Sequence, residues 1–211
     1  MSKSFTLYGR PSSGSFAVQV ALEEIGAPYE RIFFSQEPAD VARLREINPT
    51  GKVPALTCPD GTLLFESAAI LIHLALLYPG AKLAPPPGTS RHGLFLQWMV
   101  FLSANLYDDV LRMYYSDRYS ARGEADSDVI RQQGTADYLT HAALISRSLH
   151  PYVLGTEYSI ADAYLYMMAS WSPDTADLQS RLPALAAHTH LLKQRPAIVR
   201  VEADHADPAA Q

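Results

Sequence analysis

The sequence contains a single cysteine, Cys58, among 211 residues. A lone thiol cannot form an internal disulfide, so nothing in the chain requires an oxidising compartment. Charged side chains make up only 18% of the residues, and the 22 acidic ones outnumber the 17 basic ones to give a net charge of −5. A nucleic-acid-binding protein typically carries a basic stripe. We therefore expect no nucleic-acid partner.

Long apolar runs are also missing from the chain. The longest, at residues 68–78, is interrupted by His73 and is too short to span a bilayer. Residues 1–4 lead into a short strand-like segment without an apolar core or a cleavage pattern, so we expect no signal peptide. These absences predict a soluble, cytoplasmic protein that does not have a membrane as a partner.

The first 80 residues alternate between strand and helix patterns. We predict strands at residues 5–8, 29–34, 53–57 and 62–65 and helices at about 13–25, 38–46 and 66–78. Aromatic and β-branched residues favour the strands, and apolar residues at helical spacing favour the helices. Gly26 suits a helix end, and Pro59-Asp60-Gly61 suits the turn of a hairpin. The order predicts a βαβ-α-ββα unit with helices on both faces of a small sheet.

A proline-rich connector, Ala84-Pro85-Pro86-Pro87-Gly88, follows this unit. Strand patterns disappear beyond it, and helical patterns cover about 90–115, 126–149, 159–171, 183–195 and 196–202. Within them, Ser159-Ile-Ala-Asp162 has the form of a capping box. We expect residues 206–211 to fray. The predicted organisation is an α/β domain at residues 1–80, a linker at 81–88 and an all-helical domain at 89–211.

Three segments resemble the landmark segments of the cytosolic glutathione transferase family. They are NPTGKVPAL at 48–56, FESAAI at 65–70 and YSIADAY at 158–164. They occur in the family's order, and the likeness covers nearly the whole chain and is strongest to bacterial beta-class members. It implies a thioredoxin-like, glutathione-binding domain followed by an all-α helical bundle. It also implies a homodimer in which the first domain of one subunit faces the helical domain of the other.

The resemblance assigns glutathione binding to five residues of the first domain. These are Lys52, Val53, Pro54, Glu66 and Ser67. A cis Val53–Pro54 bond, which the resemblance implies, would free the Val53 backbone to pair with the cysteinyl part of glutathione. Glu66 and Ser67 open a helix whose free N–H groups could receive the charged γ-glutamyl end. The alternatives are an ordinary proline in an edge strand, and helix capping by Ser67 with dipole compensation by Glu66.

The implied reaction uses the thiolate of glutathione as its nucleophile. Lowering the pKa of a thiol by about two units requires about 2.7 kcal/mol of preference for the anion. A hydroxyl hydrogen bond supplies about 0.5–1.5 kcal/mol and a helix N-terminus about 0.3–2 kcal/mol, so a serine at the head of the first helix would combine the two.

Ser12 is the first candidate for this hydroxyl, because serine-using classes of the family place their serine there. Tyr8, Ser13 and Ser15 remain alternatives, and the serines would also suit a plain turn and N-cap. Gly14 stands where beta-class members often have a catalytic cysteine.

The resemblance places the second-substrate pocket along the first helix of the helical domain. Candidates for its wall are Tyr107, Arg112, Tyr114 and Tyr115. Asn105 would reach the glutathione of the neighbouring subunit. Asn105 and Tyr107 replace the acidic residue and the histidine of beta-class relatives. Asp108 and Arg112 are spaced as a surface ion pair, and the aromatic residues suit core packing equally well.

The predicted activity is transfer of the glutathione thiolate to a small electrophilic, largely hydrophobic co-substrate, as in detoxification. Glutathione is expected as a co-substrate, and no metal is expected because the histidines include no helical i,i+4 pair. The alternative is a glutathione-fold protein without catalysis that carries hydrophobic ligands or binds a regulatory partner.

Overall fold

The computed structural model describes residues 4–206, which form two compact units. The first unit contains the chain up to Ala84 together with the segment from Lys193 onward, and the second contains Pro85–Leu192. No helix among the described residues is long and apolar enough to cross a lipid bilayer.

The first unit is built on a four-stranded mixed sheet with the order β2-β1-β3-β4. The strands are β1 (Phe5–Gly9), β2 (Tyr29–Phe33), β3 (Ala55–Thr57) and β4 (Leu63–Phe65). The helices between and after them are α1 (Ser15–Ile25), α2 (Pro38–Ile47) and α3 (Ser67–Leu77). β2 is parallel to β1, β3 is antiparallel to β1, and β4 is antiparallel to β3. This confirms the predicted βαβ-α-ββα thioredoxin-like unit.

The core of this unit lies between the sheet and α1. Phe5, Leu7 and Gly9 of β1 are buried while the alternate residues are half-buried, as expected for a strand with one fully covered face. All eight residues of α1 from Ser15 to Leu22 are buried, because both α3 and the C-terminal helix pack against α1. The helix ends at Gly26, as predicted, in a left-handed conformation with φ of 65°.

The second unit is helical, which confirms the predicted all-α class. Its helices are α4 (Ser90–Phe101), α5 (Tyr107–Tyr114), α6 (Ser127–Ser146), α7 (Ile160–Ser170), α8 (Thr175–Arg181) and α9 (Pro183–Leu192). The predicted helix at 90–115 is interrupted by a π-helical turn, Leu102–Leu106, which joins α4 to α5. The short helix α8 was not predicted.

The C-terminal helix α10 (Pro196–Ala206) packs with the first unit and runs beyond the predicted end at residue 202. Polar groups of α1 hold this C-terminal segment to the first unit. Glu24 binds Arg195 with two hydrogen bonds of 2.9 and 3.0 Å, and Glu23 binds Arg200 at 2.7 Å. The chain segment at 193–206 therefore groups with the first unit and not with residues 89–192. Residues 207–211, predicted to fray, lie outside the described part of the chain.

The capping box predicted at the start of α7 is confirmed. Asp162 is fully buried, and its carboxylate accepts hydrogen bonds from the Ser159 N–H at 2.8 Å and the Ser159 hydroxyl at 3.0 Å. It also accepts from the Val153 N–H at 2.7 Å and lies 3.0 Å from Nε2 of buried His188. The carboxylate therefore ties the loop before α7 and helix α9 to one point.

The close crossing of α5 and α6 depends on Gly134. A Cβ atom there would lie 2.9 Å from Cβ of Arg112, 3.1 Å from the Asp109 carbonyl oxygen and 3.3 Å from the Met113 nitrogen. Two of these atoms belong to the backbone of α5 and cannot move independently. We expect Gly134→Ala to lower the free energy of unfolding by about 1–2 kcal/mol, as for other overpacked sites. Urea unfolding followed by circular dichroism measures the change.

The matched control is Gly93→Ala in α4. Nothing lies within 4 Å of the Cβ position at Gly93, so the alanine should raise stability by up to about 1 kcal/mol through its higher helix propensity. Equal effects at the two glycines would contradict the proposed steric role of Gly134.

Candidate functional site

The strand register brings four loops to one edge of the sheet. Gly9 pairs with Phe33 in the parallel strands, so the loops after β1 and β2 leave from the same edge. Ala55, the first residue of β3, pairs with Tyr8 and with Phe65 at the end of β4. The loop before β3 and the start of α3 therefore lie at this edge too. The edge carries the predicted site residues of the first unit.

The loop between β1 and α1 is held by an internal serine network. Ser15 is fully buried, and its hydroxyl accepts from the Arg10 N–H at 3.2 Å and donates to the Arg10 carbonyl at 2.9 Å. The Ser13 hydroxyl donates to the same carbonyl at 2.7 Å and lies 2.9 Å from the Ser15 hydroxyl. Gly9 permits this closeness, because a Cβ there would lie 2.6 Å from the Ser15 hydroxyl oxygen. The hydroxyls of Ser13 and Ser15 are therefore committed to the loop itself.

Ser12 lies at the exposed tip of this loop with φ of 54°, a left-handed conformation that costs energy in a residue with a side chain. Its hydroxyl makes no hydrogen bond within residues 4–206. The prediction that α1 begins near Ser13, with Ser12 at its head, is wrong by two residues. The helix begins at Ser15 with Gly14 as N-cap, because the chain turns through Ser12 before it can enter helical geometry.

Tyr8, the other alternative, lies near the end of β1. It is half-buried, and its ring is tilted against that of Phe34 with 6.3 Å between centroids. The Tyr8 hydroxyl also has no hydrogen-bond partner in the described part of the chain. Of the four predicted hydroxyls, those of Ser12 and Tyr8 are thus available to a ligand.

The loop before β3 is organised by Asn48, which the sequence analysis named only as the first residue of the segment at 48–56. Asn48 is buried, its amide donates to the Lys52 carbonyl at 2.7 Å, and its side-chain oxygen accepts from the N–H and hydroxyl of Thr50. The loop leads into the Val53–Pro54 bond, which is cis as predicted. Lys52 is exposed and Val53 half-buried. Asn48 therefore fixes the backbone that carries Val53.

Glu66 and Ser67 form the start of α3. Glu66 is exposed and takes φ of 70°, a second left-handed residue with a side chain at this edge. It occupies the N-cap without a side-chain capping bond, and Ser67 is the buried first residue of the helix. The alternative that Ser67 is the N-cap is therefore wrong, because the helix begins at Ser67 itself, one residue earlier than that alternative requires.

The predicted residues of the second unit lie on and after the π-helical turn. The Asn105 amide donates to the Phe101 carbonyl at 3.3 Å. The Tyr107 ring packs edge-on against Trp171 at 5.5 Å, and the Tyr114 hydroxyl donates to the Trp171 carbonyl at 2.7 Å. The guanidinium of Arg118 lies 4.0 Å from the ring centroid of Tyr115. Each of these aromatic side chains already has a packing partner within its own unit.

Arg112 forms three ion pairs and not only the predicted surface pair with Asp108. Its guanidinium contacts Asp108 at 3.1 Å, fully buried Asp109 at 2.5 Å and Asp137 at 2.8 Å. Asp109 also lies 2.6 Å from Nδ1 of His141, and burial raises the pKa of its carboxyl against the lowering effect of His141 and Arg112. The i,i+3 and i,i+4 spacings were visible in the sequence, but the partners on α6 were not.

Comparison with known proteins identifies the family. The glutathione S-transferase-like protein OpS6 of Beauveria bassiana is 32% identical over 200 residues, which cover 90% of this chain and 89% of that protein. The chain belongs to the glutathione S-transferase family. The family model for the glutathione S-transferase N-terminal domain matches residues 11–77 of the chain.

Solved glutathione transferases share the fold over the full length. A glutathione transferase homologue from Sulfitobacter with bound glutathione is 25% identical, with a TM-score of 0.87 over 96% of this chain and 99% of that one. A beta-class enzyme from Sphingomonas chungbukensis is 26% identical, with a TM-score of 0.80 over 95% and 98% of the two chains. The described residues of this family member include no group of three or more His, Cys, Asp or Glu side chains placed to hold a metal ion.

Proposed function

We propose that this protein binds glutathione at the sheet edge defined above, stabilises its thiolate, and adds it to an electrophilic, largely hydrophobic co-substrate. The observation that carries the proposal is the state of the Ser12 hydroxyl. It is exposed, has no partner within residues 4–206, and lies on a strained loop whose other two serines are internally bonded. A free hydroxyl on a loop fixed in this way can donate to a ligand sulfur without losing an internal hydrogen bond.

Glutathione itself would be held by the neighbouring loops. The Val53 backbone N–H has no acceptor in the described chain and would pair with the cysteinyl part of the tripeptide. Lys52 and Pro54 flank this contact. Glu66 and Ser67, together with N–H groups of the first turn of α3, would receive the γ-glutamyl end. These contacts lie outside the Ser12 loop, so binding and thiolate stabilisation should be separable.

Ser12→Ala tests this separation. We expect the dissociation constant for glutathione to change less than about twofold. The pKa of the bound thiol should rise by about 0.5–1 unit, because a hydroxyl hydrogen bond is worth about 0.5–1.5 kcal/mol. Turnover of a generic aryl halide at neutral pH should fall about 3–10-fold, and part of it should return as the pH is raised and the thiol ionises. Calorimetry and the ultraviolet absorbance of the thiolate provide the two measurements.

Tyr8→Phe is the control, since Tyr8 has the other unbonded hydroxyl at this edge. If Tyr8→Phe raises the thiol pKa and Ser12→Ala does not, the tyrosine is the donor and the assignment to Ser12 is wrong. Retention on immobilised glutathione without turnover on a panel of electrophiles would instead support the non-catalytic carrier.

The second substrate would contact α5 and the chain beyond it. Tyr107, Tyr114 and Tyr115 offer aromatic surface. Arg112 lies on the same helix, α5, with its charge already paired to three aspartates. We also propose that the protein is cytoplasmic, that it acts in detoxification, and that it forms a homodimer in which Asn105 reaches the glutathione of the neighbouring subunit. Sedimentation of the wild-type protein at micromolar concentration measures the oligomeric state, and a monomer there would contradict the proposed homodimer.

A further inference from the structure

Arg10 occupies a central place in the serine loop that the sequence patterns did not reveal. Its backbone N–H and carbonyl bind the hydroxyls of Ser13 and Ser15. Its side chain crosses to the end of β2, where Nε donates to the Phe34 carbonyl at 3.1 Å and Nη2 donates to the Ser35 carbonyl at 3.0 Å. The guanidinium is thus fixed at the same sheet edge as the tip of the loop.

The positive charge of Arg10 is not neutralised by the protein. Within residues 4–206, no carboxylate oxygen lies within 4 Å of its guanidinium nitrogens, and Nη1 makes no hydrogen bond. Asp40, the acidic residue next to Ser35, is committed elsewhere. It accepts from the N–H and hydroxyl of Ser35, which hold the pKa of its carboxyl below the usual range, and it pairs with Arg43 at 3.0 Å.

Among the other charged side chains at this edge are Lys52 and Glu66, both exposed. Neither forms an ion pair with Arg10. A half-buried guanidinium with two carbonyl contacts and no counter-ion is a site at which an anion is favoured. The loops around it are those assigned above to glutathione.

We propose that Arg10 supplies the positive charge that, together with the Ser12 hydroxyl, stabilises the thiolate of bound glutathione; the inference rests on the proposed function. Ser12 is two residues from Arg10, and the Arg10 guanidinium reaches the end of β2 at the same edge of the sheet. A unit positive charge lowers the pKa of a nearby thiol, by on the order of one unit where the two are about 8 Å apart at an effective dielectric constant of about 20. This is comparable to the contribution of one hydroxyl hydrogen bond.

Two substitutions separate the effect of the Arg10 charge from that of its hydrogen bonds to the Phe34 and Ser35 carbonyls. Arg10→Gln keeps an amide donor but removes the charge, and we expect it to raise the pKa of bound glutathione's thiol by about 0.5–1 unit. Turnover at neutral pH should fall about 3–10-fold, with recovery at higher pH. Arg10→Lys keeps the charge and loses the two-pronged contact, so the thiol pKa should stay within about 0.3 unit of the wild-type value.

The control is Arg43→Gln, which removes a positive charge that Asp40 already neutralises. It should move the thiol pKa by less than about 0.2 unit. Arg10→Met, which keeps the aliphatic stem, replaces Arg10→Gln if circular dichroism shows that the glutamine variant does not fold.

Three results would overturn the inference. If Arg10→Gln and Arg10→Lys raise the thiol pKa equally, the role of Arg10 is to hold the loop and not to supply charge. If the wild-type protein and Arg10→Gln lower the pKa of the glutathione thiol by the same amount, Arg10 has no part in stabilising the thiolate, while the proposed function stands. If the wild-type protein binds glutathione and leaves its thiol pKa unchanged, the proposed function fails and this inference fails with it.

Discussion

Replacement of Asp162 by alanine is expected to lower the free energy of unfolding by about 3–5 kcal/mol, because each buried donor left without an acceptor costs about 1–3 kcal/mol. The carboxylate is fully buried and serves four groups, two on Ser159 and one each on Val153 and His188. Alanine would leave the Val153 and Ser159 N–H groups and the imidazole of His188 without an acceptor in a dry interior. Urea unfolding monitored by circular dichroism measures the loss.

Asp174→Ala is the matched control, because Asp174 is also a helix-capping aspartate. It caps α8, where its carboxylate accepts one hydrogen bond from the Asp177 N–H at 2.8 Å, but its side chain is exposed. Loss of an ordinary cap costs about 1 kcal/mol. Similar losses at Asp162 and Asp174 would show that the buried network adds nothing beyond capping.

Gln19→Ala should lower the free energy of unfolding by about 3 kcal/mol, through a cavity in α1 and through polar groups left unpaired. Gln19 is fully buried, and its amide donates to the Tyr29 hydroxyl at 3.1 Å and to Asp204 at 2.6 Å. Its side-chain oxygen lies 3.1 Å from Nε2 of His205. Burial lowers the pKa of His205 to about 4, so at pH 7 the ring is neutral and Nε2 donates its proton to Gln19.

The control for Gln19 is Gln133→Ala. Gln133 is exposed on α6 and makes one side-chain hydrogen bond, to Asp137 at 2.8 Å. This change should stay within about 0.5 kcal/mol, as is usual for surface substitutions. If Gln19→Ala unfolds at the same urea concentration as Gln133→Ala, α10 does not depend on the buried amide.

Local patterns accounted for the element order of the first unit, the helical class of the second and the capping box at Ser159. These features depend on residues close together in sequence, so periodicity and turn chemistry reveal them. The cis bond at Val53–Pro54 came from family resemblance alone. The short helix α8 was missed because seven residues give too few repeats for a helical period to stand out.

The candidate site was predicted in outline but not in detail. The four candidate hydroxyls could not be separated by sequence, because the difference lies in the positive φ of Ser12 and in bonds that Ser13 and Ser15 make with the Arg10 backbone. Arg10 was passed over since its partners, Phe34 and Ser35, belong to another strand end. Contacts between distant segments of the chain are what sequence patterns do not contain.

The membership of α10 in the first unit has a consequence for how the protein is made. Gln19 and Asp204 are 185 residues apart, so a ribosome adding about 5–20 residues per second synthesises Asp204 roughly 10–40 seconds after Gln19. Once Leu77 has been added, all residues of the sheet, α1 and α3 have been synthesised, yet the amide of Gln19 and the carboxylates of Glu23 and Glu24 still lack their C-terminal partners. The first unit is therefore incomplete until the last described helix has been synthesised, and a chain stalled before α10 exposes the unpaired polar groups of α1 to chaperones and proteases.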